Sequence, residues 1–312
     1  MLLVFDFINS MKGKNNMTST TKKSVYQIIT DTIIDKLEQG VVPWVKPWLG
    51  GNPKNLISGK EYRGINLFLL AFNSFSSPYY LTFNQAKKLG GKVKKGSKSS
   101  IVTFWKELEV KDKDIPGELI KIPMLRYYRV FNLDQVELPA LSKLPKRIQG
   151  YLGEDAPTNN VKPIPAAKEM IKSWLGCPEI SHEGNSACYR PELDIIAMPY
   201  VNAFSKSEEY YATLFHELVH ATGHKDRLNR DGFTGRVQFG SSSYSKEELI
   251  AEMGAAFLCA QTGISEQVID NSAAYISSWL GKLRNDPKMV VQAAGKAQKA
   301  VDHIRNITYA KS

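Results

Sequence analysis

The stretch TLFHELVHATGH, residues Thr213–His224, contains three of the five histidines of the 312-residue chain, together with one glutamate. Apolar residues recur in it and just before it at spacings of three and four, which indicates one buried face of an α-helix. These residues are Tyr211, Leu214, Leu218 and Ala221. His216 and His220 are four residues apart on a different face, so we expect their Cβ atoms about 6 Å apart. The stretch therefore predicts an amphipathic helix that presents two histidines on one side.

Both ends of this helix carry sequence signals. Ser205–Glu208 reads SKSE, which has the Ser-x-x-Glu form of a capping box and predicts that the helix begins there. Gly223 favours a helix that ends just before it, because glycine readily adopts the left-handed conformation that follows a helix. The two signals enclose the histidines in a single helix.

The order His216, Glu217, His220 has the HExxH spacing of zinc metallopeptidases. Two imidazoles at this spacing reach one tetrahedral zinc ion at about 2.0–2.1 Å. Glu217 is then placed to take a proton from the attacking water and to pass it to the leaving amine. We therefore predict Zn²⁺ as the cofactor, His216 and His220 as ligands and Glu217 as the general base. The alternative is a surface helix whose histidines bind nothing.

A catalytic zinc site needs a third protein ligand, and a second helix, predicted at Tyr244–Ala260, offers three acids. Glu247, Glu248 and Glu252 lie in an otherwise apolar run, where a buried carboxylate is costly unless it is paired or bound to metal. Glu248 is predicted as the ligand. Glu252, on the same face, is expected to orient one of the histidine ligands by a hydrogen bond or to replace Glu248 as the ligand. Of the three acids, Glu247 is the one that is best interpreted as facing solvent.

His224 is a weaker alternative for the third ligand, because on a continued helix it would lie about 12 Å from His216. The group that stabilises the oxyanion of the reaction stays open, since several side chains near the motif are suitable. These side chains are His224, Asp226, Arg227, Tyr244 and Tyr275.

Positive charge is concentrated in the first half of the chain. The net charge is +10, but residues 1–150 hold 24 Lys and Arg against 12 Asp and Glu, whereas residues 151–312 hold 17 against 19. Within residues 51–106 there are ten basic residues and one acid, Glu61. A field of one sign over one part of a protein favours a polyanionic partner, above all nucleic acid. The alternative is a basic face that serves solubility alone.

Aromatic residues are interleaved with these cations, as in proteins whose cations contact the phosphates of a single strand while the bases stack on rings. The lysines of Lys92–Lys98, flanked by glycines, are expected to contact phosphates. For any one aromatic ring, a place in the core is the simpler interpretation. The residues predicted to bind nucleic acid are Trp44, Trp48, Lys60, Tyr62, Arg63, Lys92, Lys94, Lys95, Lys98, Trp105, Arg126 and Arg129.

Periodicity and turn residues predict an α+β fold of two domains. Residues 1–19 are expected to form a disordered leader, residues 20–138 an α+β nucleic-acid-binding domain, and residues 139–165, rich in proline and charge, a linker. Residues 166–312 are expected to form a mainly helical domain that carries the HExxH motif. No apolar run approaches the roughly 20 residues that span a membrane. Three scattered cysteines favour a reducing cytoplasm over a disulfide framework.

Three elements within these domains are predicted individually. Residues 21–39 have the apolar period of a helix, which Gly40 is expected to end. Met124–Val136 is predicted as a strand in which aromatic residues and arginines are interleaved. Ala187–Pro199, ACYRPELDIIAMP, is predicted as two short strands around a turn.

Several motifs together resemble the ArdC-type antirestriction proteins of plasmids and other mobile elements, over about residues 25–310. In the first half the resemblance rests on PWVKPW, SGKEYRGIN, LTFNQAKKLGGKVKKG and FWK, and in the second half on ACYRPELDIIAMP, YYATLFHELVHATGHKDRL and EELIAEMGAAFL. It implies a single-stranded-DNA-binding domain, a zincin-like metallopeptidase domain, and a cytoplasmic role in shielding incoming DNA from host restriction. His216, Glu217 and His220 match the HExxH of the family directly, and its acidic helix matches at Glu248–Leu258.

Two functions stay open from the sequence. One is a zinc metallopeptidase that DNA binding brings to an unidentified protein substrate. The other is a protective protein that binds single-stranded DNA and has a structural or vestigial metal site. Glu217 favours the first, because a structural site has no use for a general base. A nuclease with a different metal is less favoured, since paired histidines with one acid suit zinc better than magnesium.

Overall fold

The computed structural model describes residues 23–42, 52–71, 75–111, 119–153, 163–230, 242–264 and 273–308. Strands and short helices alternate before residue 153, and helices dominate after residue 205, so the fold is α+β as the sequence predicts. Within the described ranges, no helix is both long and apolar enough to cross a membrane.

A four-stranded sheet organises the N-terminal part. Its strands, in order, are β1 (Lys54–Asn55), β2 (Tyr79–Leu81), β5 (Leu119–Asn132) and β4 (Ser100–Lys111). β1 and β2 are parallel, whereas β5 is antiparallel to both of its neighbours. A separate pair joins β3 (Lys92–Val93) to β6 (Val136–Glu137). The strand predicted over 124–136 therefore starts earlier, at Leu119, and stops at Asn132, whose side chain caps a 3₁₀ turn.

Three helices accompany this sheet: α1 (Val25–Glu38), α2 (Ile65–Ala71) and α3 (Phe83–Lys88). The prediction of a helix over residues 21–39 is confirmed for its described part. The Ser24 hydroxyl caps the start of α1 by accepting a hydrogen bond of 3.1 Å from the Gln27 N–H. Gly40 follows the helix with φ of 75°, a conformation that glycine adopts without steric cost.

The predicted linker is folded at both ends. Residues 146–152 form the helix α4, and Leu144 and Ile148 are buried against Leu56 and Leu81 of the N-terminal part. The apolar residues four apart give this proline-rich segment a buried face, which its composition does not indicate. Residues 154–162, between α4 and the next helix, lie outside the described residues.

The C-terminal part combines a small sheet with helices. Its elements are α5 (Pro163–Ser173), β7 (Glu179–His182), β8 (Cys188–Arg190), β9 (Ile195–Met198), α6 (Ser207–Ala221), α7 (Ser242–Thr262), α8 (Ala273–Asn285) and α9 (Met289–Ile304). β9 is the central strand, parallel to β7 and antiparallel to β8, so β8 lies at an edge. The two strands and turn predicted at 187–199 are confirmed as β8 and β9.

One apolar core extends through both parts of the chain. Ile29 and Ile33 of α1 are fully buried in the same core as the C-terminal helices. The Phe68 ring of α2 stacks on Phe257 of α7, with ring centroids 4.9 Å apart. Helix α2 therefore packs directly on the helix that carries the predicted metal-binding acid.

The start of α6 differs from the sequence prediction. The helix begins at Ser207, and its N-cap residue Lys206 makes no side-chain capping bond. The Ser205 N–H instead donates a hydrogen bond of 3.1 Å to the Glu209 carboxylate. The predicted capping box of Ser205 and Glu208 is therefore wrong, because the acid one residue further along makes this contact.

The body and the end of α6 agree with the sequence. The helix ends at Ala221, and the Gly223 N–H donates a hydrogen bond of 2.7 Å to the His220 carbonyl. The predicted apolar stripe is buried throughout. Its members are Tyr211, Leu214, Leu218 and Ala221.

A glycine allows α6 and α7 to approach closely. A Cβ atom built on Gly254 of α7 would lie 2.6 Å and 2.9 Å from the two methyl carbons of Val219 on α6. Both distances are far below ordinary van der Waals contact, and Val219 is fully buried. Only glycine fits at this crossing, which also sets how far Glu248 lies from the histidines of α6.

Replacement of Gly254 by alanine is expected to lower the free energy of unfolding by about 1–3 kcal/mol, because the extra methyl group overpacks the crossing. Chemical denaturation measures the change. Gly295→Ala on α9 is the matched control, since nothing lies within 4 Å of the added atom. The double variant Gly254→Ala/Val219→Ala should recover part of the loss. Equal effects of Gly254→Ala and Gly295→Ala would contradict the close crossing.

Candidate metal centre

His216 and His220 project from one side of α6 towards Glu248 on α7. The Nε2 atoms of the two histidines are 3.1 Å apart; Glu248 Oε2 lies 3.5 Å from His216 Nε2, and Glu248 Oε1 lies 3.5 Å from His220 Nε2. Every one of these side chains is partly exposed, by 25%, 12% and 27% respectively, so the group is open to solvent. Their ligand atoms lie close enough together for one metal ion to be held.

The spacing of these atoms fits a tetrahedral ion. Two ligand atoms bonded to zinc at about 2.0–2.1 Å are about 3.3 Å apart. The two Nε2 atoms are 3.1 Å apart, each lies 3.5 Å from one of the two Glu248 oxygens, and one ligand atom from each residue lies within 4.8 Å of the others. Burial lowers the pKa of His216, but the Glu248 and Glu217 carboxylates raise that pKa by more, so it lies above its ordinary value. The same negative field favours a divalent cation at this point.

Glu217 is held in place by the edge strand of the small sheet. Its side chain is on α6 beside His216, and the residue is 8% exposed. The Glu217 Oε2 accepts a hydrogen bond of 2.8 Å from the backbone N–H of Tyr189 on β8. A carboxylate fixed in this way, next to side chains that could bind a metal ion, is in a position to transfer protons.

Glu247 has a different environment from the solvent-facing one that the sequence favours. Its side chain is 13% exposed, and its Oε1 lies 3.4 Å from His220 Nδ1. Arg230, 5% exposed, donates to both of its oxygens and to the Val219 carbonyl. Burial raises the pKa of Glu247, but hydrogen bonds from His220 and Arg230 outweigh it, and the pKa is lowered. Glu247 therefore orients His220 through the ring nitrogen that faces away from Glu248.

The sequence predicts Glu252 as a residue that orients a histidine or replaces Glu248 as the ligand. Glu252 is buried on α7 and its charge raises the pKa of His216, and the three residues whose ligand atoms lie together are His216, His220 and Glu248. The sequence shows Glu247 as one of three acids in an apolar run. No local pattern around Arg230 indicates that it pairs with Glu247, which is 17 residues away.

The remaining predicted residues near the motif lie outside the metal group. His224 is past the end of α6, where its Nδ1 lies 3.5 Å from the Asp226 carboxylate. Arg227 is an unsuitable oxyanion donor, because its side chain is 8% exposed and its five N–H groups already have acceptors. The side chains of Tyr244 and Tyr275 are outside the described part of the chain.

The long hairpin of β4 and β5 separates the predicted nucleic-acid residues onto two faces. Alternate residues of a strand point to opposite sides, and Phe104 pairs with Arg126 while Trp105 pairs with Leu125. Arg126 therefore shares the side of Phe104, which we name the Phe104 face, and Trp105 lies on the other. The register places Arg129 on the Trp105 side, since it pairs with Ile101.

The Phe104 face presents an aromatic stack. The Phe104 and Tyr128 rings lie 4.4 Å apart with an angle of 6° between them, and Tyr128 is 55% exposed. By the same alternation, Lys106 lies on this face, while the acids Glu107 and Glu109 lie on the opposite one. The exposed Tyr128 ring and the two cations therefore coincide on the Phe104 face without an adjacent acid from the described residues of the two strands.

The other predicted nucleic-acid residues are distributed more widely. Tyr62 is half-buried and packs edge-on against Tyr80, and Arg63 donates a hydrogen bond of 2.6 Å to Asp302 on α9. Arg63 therefore joins the two parts of the chain. Trp105 is 57% exposed and lies edge-on to Tyr26. Lys60, Lys92, Lys94, Lys95 and Lys98 lie in and near short strands and turns, and Trp44 and Trp48 are outside the described residues.

Comparison with known proteins identifies the class of each part. Residues 166–296 match the model of a zincin-like metallopeptidase family, and residues 23–131 match that of the N-terminal domain of the anti-restriction factor ArdC. The fold is also similar to the metal-free crystal structure of the antirestriction protein ArdC from plasmid R388. The TM-score is 0.71 and the identity 38%, over 92% of this chain and 100% of that one. The chain belongs to the ArdC family.

Other relatives extend this comparison. The Mn(II)-bound structure of the R388 protein aligns with a TM-score of 0.70 and 36% identity, over 91% of this chain and 98% of that one. The protein y4eC of Sinorhizobium fredii is 32% identical, over 91% of this chain and 92% of its own length. Two DNA primases TraC of Escherichia coli are 34% and 32% identical over 91% of this chain, which spans only 20% and 27% of their length.

Substitution of Glu247 by glutamine is expected to weaken metal binding about 10–100-fold, because His220 loses the charge that orients it. Competition with a chromophoric chelator measures the affinity. Glu183→Gln, which changes an exposed acid paired with Arg190, is the matched control and should bind metal like the wild type.

The same substitution gives a pH test. Because the folded protein lowers the pKa of Glu247, its contribution to stability is present above the ordinary glutamate pKa and is lost as the pH falls through the lowered value. The difference in unfolding free energy between wild type and Glu247→Gln should therefore shrink in acid. Unchanged metal affinity together with a pH-independent difference would contradict the role of Glu247.

Proposed function

We propose that the chain is an antirestriction-type protein of a mobile element that binds single-stranded DNA and carries a zinc-dependent peptidase site. The observation that carries the peptidase part is the triangle of His216, His220 and Glu248 with Glu217 beside it. The chain shares the N-terminal and zincin-like models of its family, and this supports the antirestriction part. A cytoplasmic location and an unidentified protein substrate belong to the same proposal.

His216, His220 and Glu248 would hold the metal, which supplies a Lewis acid that polarises a peptide carbonyl and makes water a stronger nucleophile. Glu217 accepts the proton of the attacking water and then donates it to the leaving amine. The Tyr189 N–H orients the Glu217 carboxylate during both transfers. Glu247 and Arg230 keep the His220 ring in the orientation that binds metal.

Zinc is the proposed metal because two histidines and one carboxylate form a common catalytic zinc donor set. A related protein was crystallised with Mn(II), so metal analysis of the purified protein has to include manganese. The metal-free structure of that relative argues against a metal needed for its fold, and by analogy against a purely structural site here.

Single-stranded DNA is proposed to bind the Phe104 face. The stacked rings of Phe104 and Tyr128 form a platform for bases, and Arg126 and Lys106 are placed to contact phosphates. The lysines of the β3 region extend the positive field beyond the hairpin. The alternative function, a protective DNA-binding protein without peptidase activity, shares this surface and differs only at the metal centre.

Peptidase activity of the zinc-loaded full chain is expected to vanish in Glu217→Gln, since the amide cannot accept the proton, while single-stranded-DNA binding persists. Cleavage of a denatured protein mixture, with and without single-stranded DNA, measures the activity. Glu209→Gln, near the start of α6 and remote from the histidines, serves as the control. If wild type cleaves nothing in either condition yet binds DNA, the protective alternative is favoured. Metal-dependent DNA cleavage would instead indicate a nuclease.

Loss of the exposed ring in Tyr128→Ala is expected to weaken single-stranded-DNA binding by about 1–3 kcal/mol. Arg126→Ala should weaken binding and also reduce its dependence on salt, because one phosphate contact is lost. Fluorescence anisotropy over a range of salt concentrations measures both. Tyr200→Ala removes a ring that is 61% exposed on the C-terminal part and should leave binding unchanged. Equal losses for Tyr128→Ala and Tyr200→Ala would argue against the Phe104 face.

A further inference from the structure

The buried Arg227 guanidinium is the centre of a hydrogen-bond network that includes Tyr189, the residue whose N–H contacts Glu217. Its Nε–H donates to the Ala221 carbonyl at the end of α6, over 2.7 Å. The two terminal nitrogens donate to the Gly176 carbonyl at 3.3 Å, to the Tyr189 hydroxyl at 3.0 Å and to both oxygens of Asp194. All five of its N–H groups are therefore used within the protein.

Tyr189 connects this network to the general base. The Tyr189 hydroxyl donates a hydrogen bond of 2.6 Å to Asp194, and its backbone N–H donates to Glu217. Glu217 and Ala221 are four residues apart and so lie on one side of α6. The edge strand β8 is therefore attached to this side of the helix twice. The Tyr189 N–H bonds directly to Glu217, and the Tyr189 hydroxyl is joined to the Ala221 carbonyl through Arg227.

The charges of the network support one another. The Arg227 side chain is 8% exposed, so its charge needs a partner, and the Asp194 carboxylate provides it. The Arg227 hydrogen bond lowers the pKa of Asp194, whereas burial and the Asp194 hydrogen bond raise the pKa of Tyr189. Asp194 thus stays ionised as the acceptor and Tyr189 stays protonated as the donor. Asp194 also has φ of 53°, a conformation that Asp and Asn tolerate better than other side chains.

We propose that Arg227 is a positioning residue for Glu217, which it reaches through Asp194 and Tyr189. The guanidinium holds β8 against α6, so that the Tyr189 N–H stays bonded to the carboxylate and fixes its direction. This inference rests on the proposed function for its catalytic meaning, but the positioning itself is measurable without any substrate. The Asp194–Arg227 pair contacts neither His216 nor His220.

The test uses Asp194→Asn, Tyr189→Phe and Arg227→Lys in the full chain. Asparagine keeps the left-handed preference at position 194 and removes the charge. Phenylalanine removes only the hydroxyl, and lysine keeps the charge of Arg227 without its planar set of donors. Arg190→Ala is the control, because it removes an exposed guanidinium from the neighbouring position on the same strand.

The first readout is hydrogen exchange of the Tyr189 amide, measured by NMR or mass spectrometry at single-residue resolution. The three variants are expected to exchange this amide at least about tenfold faster than wild type, since β8 moves away from Glu217 more often. Arg190→Ala should exchange it at the wild-type rate, and Glu217→Ala should reproduce the acceleration. Amides in the middle of α9 should be unaffected in all variants.

The second readout is kinetic. With a cleavable substrate, kcat should fall about tenfold while KM and metal content stay near wild type, because orientation of the base is lost and binding is not. If no substrate is cleaved by wild type, the peptidase proposal fails and the exchange data still decide the positioning.

Unchanged exchange at Tyr189 in both Asp194→Asn and Tyr189→Phe would overturn the inference. Equal acceleration across α9 would also overturn it, because that result describes general destabilisation. If Arg227→Lys does not fold, the two milder variants decide the question alone.

Discussion

The close crossing of α6 and α7 at Gly254 and Val219 is the constraint on which the metal centre depends. The two histidines are on one helix and Glu248 is on the other, so the separation of the helices sets the size of the site. A side chain at Gly254 would press on Val219 and widen the crossing, and a wider site would no longer match the short bonds of a transition metal. Packing in the core thus sets the separation of His216 and His220 from Glu248.

Two buried arginines stabilise this geometry through ion pairs with Asp194 and Glu247. Arg230 pairs with Glu247, which contacts His220, and Arg227 pairs with Asp194, which contacts the strand that holds Glu217. A buried ion pair adds little net stability, but removal of one partner is costly because the other charge is left uncompensated. Such pairs therefore suit the fixing of one arrangement of side chains, here one arrangement for the proposed metal ligands and one for the proposed general base.

Local pattern and long-range pairing explain what the sequence does and does not predict. The periodicity of α6 predicts its buried stripe and the shared side of His216 and His220, because four residues make about one turn. The acid-containing apolar run predicts that α7 supplies carboxylates. The partner of each carboxylate depends on the turn at which α7 crosses α6, and Arg230 meets Glu247 across 17 residues that carry no local signal. The sequence therefore does not show that Glu247 and Arg230 meet beside His220.

The most direct test of a metal centre built by this crossing is anomalous X-ray diffraction from crystals of the full chain, recorded at the zinc and the manganese absorption edges. The account predicts a single strong peak bonded by His216, His220 and Glu248 at about 2.0–2.2 Å, with Glu217 near the open side and unbonded. A peak bonded by Glu252 in place of Glu248, or metal-loaded crystals without a peak between the two histidines, would contradict it.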